Sequence, residues 1–138
     1  MAKDRFHQVV KTALAKDGWN ITHDPFPIKV GRVEMEIDLG AERLLAAERG
    51  DEKIAVEVKS FLATASAISE FHTALGQFIN YRAALRREHP DRILYLAIPN
   101  LVYNSFFQLE FPASMLKENS VKIIVYDTEL EQILLWKQ

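Results

Sequence analysis

The sequence predicts an α/β protein, a mixed sheet with helices packed on it, and three observations carry that reading. Residues Val33 to Leu39 alternate apolar and acidic side chains, with Val33, Met35, Ile37 and Leu39 on one face and Glu34, Glu36 and Asp38 on the other. Arg43 to Glu48 and Lys53 to Lys59 flank Arg49-Gly50-Asp51-Glu52, a strong hairpin turn. A long helical pattern from Ser66 to about Arg87 then stops at Pro90 and gives way to the β-rich run Ile93 to Ile98. Three antiparallel strands followed by an αβ unit imply a mixed sheet.

The first element is a helix in which Phe6, Val9, Val10, Ala13 and Leu14 recur at helical spacing, with Asp4 as N-cap and Gly18 as stop. Thr22 to Pro27 is a non-helical connection, because Pro25 and Pro27 restrict it. The alternating strand follows, and Gly40 marks a bulge or bend. Leu44 to Ala47 has helix propensity, but the adjacent turn signal makes it a strand. In the long helix Phe71, Leu75, Phe78, Ile79 and Leu85 share the apolar face, and Gly76 would permit a close approach to the sheet or to a ligand. Ile93 to Ile98 reads as a central strand. Val102 to Leu109 and Ala113 to Asn119 read as short helices on either side of Pro112. Lys122 to Tyr126 and Gln132 to Trp136 complete the sheet, the last as an edge strand. The predicted order is α-β-β-β-α-β-(α)-β-β.

Composition narrows the function classes. A chain of 138 residues fits one domain, and one of that size buries roughly 68% of its unfolded surface without needing a disulfide or structural metal. It is 49% apolar and 26% charged and has no cysteine, which excludes thiolate zinc sites and cysteine nucleophiles and fits a cytoplasmic location. No secretory signal or membrane span is expected. The net charge of −2 argues against a strong non-specific DNA binder, so any nucleic-acid surface must be local or supplied by a partner.

The chemistry centres on Ile54-Ala55-Val56-Glu57-Val58-Lys59. Strand alternation sends Ile54, Val56 and Val58 one way and Ala55, Glu57 and Lys59 the other. The bland explanation is a solvent-facing Glu–Lys stripe, the commoner case for such alternation. Asp38 favours a sharper one. It ends an upstream strand and can lie across from Glu57 once the hairpin folds. Two carboxylates and a lysine on one sheet face suit a hard, oxygen-seeking cation such as Mg²⁺ or Mn²⁺, which keeps waters of its own. Lysine can orient such a water or offset charge on a phosphorane-like transition state.

Asp38 followed by Glu57-Val58-Lys59 resembles the D…(D/E)-x-K signature of PD-(D/E)XK nucleases, with Ile37 where many members have proline. Gln77 and Tyr81, one helical turn apart, resemble the Q-x-x-x-Y helix motif of several branches. Over the whole chain, Phe6-His7, Lys16-Asp17-Gly18-Trp19, Thr22-His23-Asp24-Pro25, Ala55 to Phe61, Gly76-Gln77 and Tyr95 to Pro99 resemble the XisH family, the fdxN element excision controlling factors of cyanobacteria. That resemblance implies a restriction-endonuclease-like PD-(D/E)XK core, order αβββαβ with extra C-terminal helices and strands, spanning residues 1–138 as a single domain. It also implies a role in programmed DNA excision beside a XisI-type partner; a homo-oligomer is left open. The expected site is Asp38 and Glu57 as metal ligands, Lys59 positioning water, and Gln77 and Tyr81 in support. Many such nucleases carry a Glu in the first helix, where this chain has His7 and Gln8. The rival expectation is a non-catalytic regulatory or partner-binding subunit that keeps the fold.

Other signals carry less. None of His7, His23, His72 and His89 shows metal-ligand spacing. His23 reads as a turn residue; His7 reads as a surface one, with a place beside the active cleft, which the first helix often borders in PD-(D/E)XK proteins, as the alternative. Arg82, Arg86 and Arg87 complement the C-terminal dipole of the long helix. Tyr103, Phe106, Phe107 and Phe111 suit a core or a partner interface better than base stacking, because no basic residue lies between Tyr103 and Phe111.

Overall fold

The computed structural model describes residues 2–35, 44–61 and 66–138, with side chains from residue 5 onward. Helix α1 (Ala2–Lys16) begins before Asp4, which therefore lies inside it and not at its cap. Its end is as expected. Gly18 takes φ +88°, the Trp19 N–H donates to the Leu14 carbonyl at 2.9 Å, and the Gly18 N–H donates to Ala15 at 3.1 Å. This is a Schellman closure, with Trp19 and Leu14 meeting in the same apolar cluster.

Strand β1 (Asn20–His23) and the hairpin of β2 (Ile28–Val30) and β3 (Val33–Met35) follow. Then come β4 (Leu44–Arg49) and β5 (Glu52–Val58). The predicted hairpin is present, with Gly50 at φ +59° in the first loop position, as a II′ turn requires. Helix α2 (Ala67–Glu88) is capped by Ser66, whose hydroxyl accepts from the Ser69 N–H. Strand β6 (Arg92–Pro99), helix α3 (Asn100–Tyr103), a single 3₁₀ turn (Phe106–Gln108), helix α4 (Glu110–Glu118), β7 (Ile123–Asp127) and β8 (Gln132–Lys137) complete the chain.

The main sheet runs β1-β4-β5-β6-β7-β8. The β5–β6 and β6–β7 pairs are parallel and the outer pairs antiparallel, so the sheet is mixed. Two expectations are corrected. Before α2 the described residues hold β1 and the separate β2–β3 hairpin besides the β4–β5 pair, more than the simple αβββαβ order. Pro112 does not separate two helices but sits in the first turn of α4, where a backbone N–H has no helical partner to lose.

The sheet buries both faces. Val9, Val10 and Leu14 of α1 cover Leu45, Val56, Val58, Ala97 and Ile124. Phe71, Ala74, Phe78 and Leu85 of α2 cover Ala46, Ala55, Leu96 and Ile98 on the other side, where the 3₁₀ turn adds Phe107. No helix among the described residues is long and apolar enough to cross a membrane. Gly76 is exposed, and a Cβ there would meet nothing within 4 Å, so it serves no close approach to the sheet.

Candidate active site

Strand β5 lies between β4 and β6, and its alternation is the one the sequence requires: Val56 and Val58 join the α1 side, Ala55 the α2 side. Glu57 shares the parity of Ala55. It stands in register with Leu44 of β4 and Leu96 of β6, both buried. Only 2% of Glu57 is exposed, and 6% of Lys59, which follows the last residue of the strand. A solvent-facing Glu–Lys stripe is therefore excluded. Burying ionisable groups in a sheet costs several kcal/mol unless partners or a cation compensate.

The backbone at Lys59 is fixed from two sides. Its N–H donates to the Ala97 carbonyl at 3.1 Å, and its carbonyl accepts from the buried Tyr126 hydroxyl at 3.2 Å. Ser60 is also buried. Phe61 then turns the chain with φ +51°, a conformation bulky L-residues rarely adopt. Its ring stands edge-on to Phe107 at 5.4 Å. This strained exit follows the carboxyl end of a central parallel strand, where α/β folds place their ligands.

Asp38 lies outside the described residues. The described chain ends at Met35, which packs on the α2-side core, and resumes at Leu44, directly across from Glu57. Among the described residues no group of three or more His, Asp or Glu side chains could hold a metal by itself. Mg²⁺ commonly takes only one or two protein carboxylates and fills its sphere with water and substrate phosphate, so the buried Glu57 carboxylate fits that use. Phe78 and Leu85 of α2 are buried, Tyr81 packs half-buried against the core that contains Ala55, and Gln77 is half-exposed. Among the described residues no hydrogen bond joins Gln77 to Glu57 or Lys59.

A second ionic cluster was not foreseen. His7 is buried, not on the surface, and its Nε2 lies 2.7 Å from Asp24 Oδ1. Lys11 Nζ donates to the other Asp24 oxygen at 2.8 Å. Burial alone would raise the Asp24 pKa, but the hydrogen bonds from Lys11 and His7 outweigh it and hold the carboxyl below its ordinary value. The one sequence signal was His7 and Lys11 at i and i+4 on a single helix face. Their partner is 13 and 17 residues away, out of reach of any local rule. The cluster lies toward the Glu57 end of the sheet: His23 pairs with Ala46, and the Phe26 N–H donates to the Leu44 carbonyl at 2.8 Å.

The family model described as XisH protein matches residues 1–134. The chain belongs to the XisH family. Two solved structures resemble it over 98% of its length at 61% identity. One, an XisH family protein from Nostoc punctiforme, has a TM-score of 0.91 and is covered over 100% of its own chain. The other, an fdxN element excision controlling factor protein from Anabaena variabilis, has a TM-score of 0.92 and is covered over 99%. No curated protein matches the chain.

In this XisH-family chain Arg82 has a definite structural role. Its guanidinium donates to the Asn119 and Ser120 carbonyls at 2.7 and 3.1 Å, tying α2 to the end of α4. Phe106 and Phe107 contact Phe61 and Phe71, so these aromatics are core as expected, whereas Phe111 is 60% exposed.

Proposed function

We propose that this XisH-family chain is a PD-(D/E)XK-type, metal-dependent DNA-processing factor acting in the controlled excision of a DNA element. The observation that carries the reading is the burial of Glu57, near the carboxyl end of a central strand, and of Lys59, the residue just beyond that end. An ionisable pair kept there at a solvation cost is the signature of a site and not of a surface. The hairpin–helix–strand succession β4-β5-α2-β6, with β5 and β6 parallel, fits the same superfamily.

In this reading Glu57 and Asp38 hold Mg²⁺ or Mn²⁺. A bound cation of that kind supplies a water of lowered pKa and offsets charge on the phosphate. Lys59 orients the attacking water and neutralises charge that develops on the phosphoryl oxygens. The Ala97 and Tyr126 hydrogen bonds hold the Lys59 backbone so that its side chain keeps one origin. Gln77 and Tyr81, from α2, support the same end of the sheet. Mn²⁺ titration by calorimetry tests the assignment. Wild type should bind, and Glu57→Gln and Asp38→Asn should each lose most of the affinity; unchanged Mn²⁺ binding in both variants would remove the metal site.

A second reading, a partner-binding subunit that acts beside a XisI-type protein, is favoured by a different observation. Leu101, Leu109 and Phe111 are 73%, 58% and 60% exposed around α3 and α4, in a chain of net charge −2. Co-purification with a XisI-type protein, abolished by Phe111→Asp, would support it.

A further inference from the structure

The molecule has a cavity of about 650 Å³ that none of these roles uses. It opens between the 3₁₀ turn and α4 on one side and the β7–β8 edge on the other. Lys117, Lys122 and Lys137 line it, and no carboxylate side chain does among the described residues. In a chain with more acidic than basic residues that segregation creates a local positive field. Were residue 138 the last, its α-carboxylate would offset only one of the three charges.

Much of the remaining wall is apolar, with Phe107 and Val121 from the core and Leu116 and Tyr103 packed against it, and Gln108 adds an amide. Its volume falls in the range that encloses a small organic ligand, on the order of 300–1,000 Å³. Gln138 is already ordered there, accepting from Lys122 at 3.0 Å and donating to the Tyr95 hydroxyl at 2.7 Å.

Ser120 provides an independent pointer. It closes α4 in the left-handed region, at φ +52°, with the Val121 N–H donating to Leu116 at 2.9 Å and its own N–H to Lys117 at 3.1 Å. Glycine is the favoured residue at that position of a Schellman closure. Serine adds strain and a hydroxyl, and Ser120 is among the residues that line the cavity with the lysines. Strained backbone of this kind collects at ligand sites.

We propose that this cavity is a binding site for a nucleoside phosphate, with the phosphates on Lys117, Lys122, Lys137 and the Ser120 hydroxyl and the base against Tyr103 and the apolar wall. A free nucleotide and the terminal nucleotide of a strand present the same chemistry to it. Phe107 forms one wall of the cavity and also meets Phe61, just beyond Lys59, so the two sites share an aromatic partition. The inference does not depend on catalysis at Glu57.

Calorimetry at low salt without divalent metal, using ADP, adenosine, pyrophosphate and a short 5′-phosphorylated single strand, tests it. ADP should bind at least ~10-fold more tightly than adenosine or pyrophosphate alone. Tighter binding of the strand than of ADP assigns the site to strand ends, and the reverse assigns it to the free nucleotide. Lys122→Gln and Lys137→Gln should each weaken ADP several-fold, and Lys29→Gln, at an exposed position of β2, should leave it unchanged. Ser120→Gly should raise the melting temperature while weakening ADP, a pairing that a merely structural serine would not produce. Equal affinity for pyrophosphate and ADP, no ADP binding, or binding insensitive to the lysine changes would overturn the proposal.

Discussion

Two ionic groups lie toward the same end of the sheet, one partly buried and one buried, and they differ in kind. His7, Lys11 and Asp24 come from α1 and from the turn after β1, and their hydrogen bonds of 2.7 and 2.8 Å account for both Asp24 oxygens. Glu57 comes from β5 and Lys59 from just past its end, and they sit deeper, among Leu44, Leu96 and Ala97. The first group ties an α1 helix to a loop and has the form of a structural clasp. The second has an anchored backbone beside a strained chain exit, the form of a site. Burial by itself does not separate them; the doubly held backbone at Lys59 and the strained exit beyond it do.

Lys59→Met is the sharpest way to break that comparison. Methionine keeps the unbranched stem and removes the charge. Metal-dependent cleavage should fall by about 10²–10³-fold, the usual loss when one transition-state donor is removed. The melting temperature in chelator should stay level or rise, because a charge has been relieved of burial. A structural pair would behave oppositely, losing about 3–5 kcal/mol when one partner is stranded.

Asp24→Ala should show the clasp's behaviour. It removes two charge-assisted hydrogen bonds at a partly exposed carboxylate and should cost about 2–3 kcal/mol of stability by denaturant titration. Mn²⁺ affinity should be affected little. An Asp24→Ala protein as stable as wild type would show the clasp to be incidental.

The same carboxylate predicts a pH signature. Its pKa is depressed in the folded chain, so the unfolded state binds the proton more readily. Its contribution is complete above the unfolded value of about 3.9 and is lost as the pH falls through the lower folded value. The stability gap between wild type and Asp24→Ala should therefore close as the pH falls below about 4. A gap that widens over that same range would contradict the assignment.

The smallest expected effect is at Gly76. With open space at its Cβ and a helical setting, Gly76→Ala should stabilise by about 0.5–1 kcal/mol, read as a small rise in melting temperature. A loss would mean that the glycine is needed for an approach by a ligand or partner.

What the sequence disclosed followed periodicity. The 22 residues of α2 and the seven of β5 are long enough for their spacing to be unambiguous, and Gly50 and Ser66 mark their boundaries by turn and cap chemistry. Strands β1 and β2 have only four and three residues, and β1 is mostly exposed, so no apolar alternation announces them, whereas β3 opens the alternating run that begins at Val33. Pro112 was misread because a proline in a first helical turn looks locally like a break. At the site, Glu57 and Lys59 were legible as a strand motif, but their burial was not, since it depends on Leu44, Leu96 and α2 arriving from elsewhere. The His7–Asp24 contact and the three-lysine cavity join residues distant in sequence and leave no periodic trace.

A plasmid-nicking assay tests the central claim most directly. Supercoiled plasmid should be incubated with the protein in Mg²⁺ or Mn²⁺, with and without the XisI-type partner, against Glu57→Gln and Lys59→Met. The account predicts metal-dependent conversion to the nicked circle by wild type, abolished by chelator and by either substitution. Nicking that survives both substitutions, or its absence from wild type under every one of these conditions, would contradict the assignment of Glu57 and Lys59 as a phosphodiester-cleaving site.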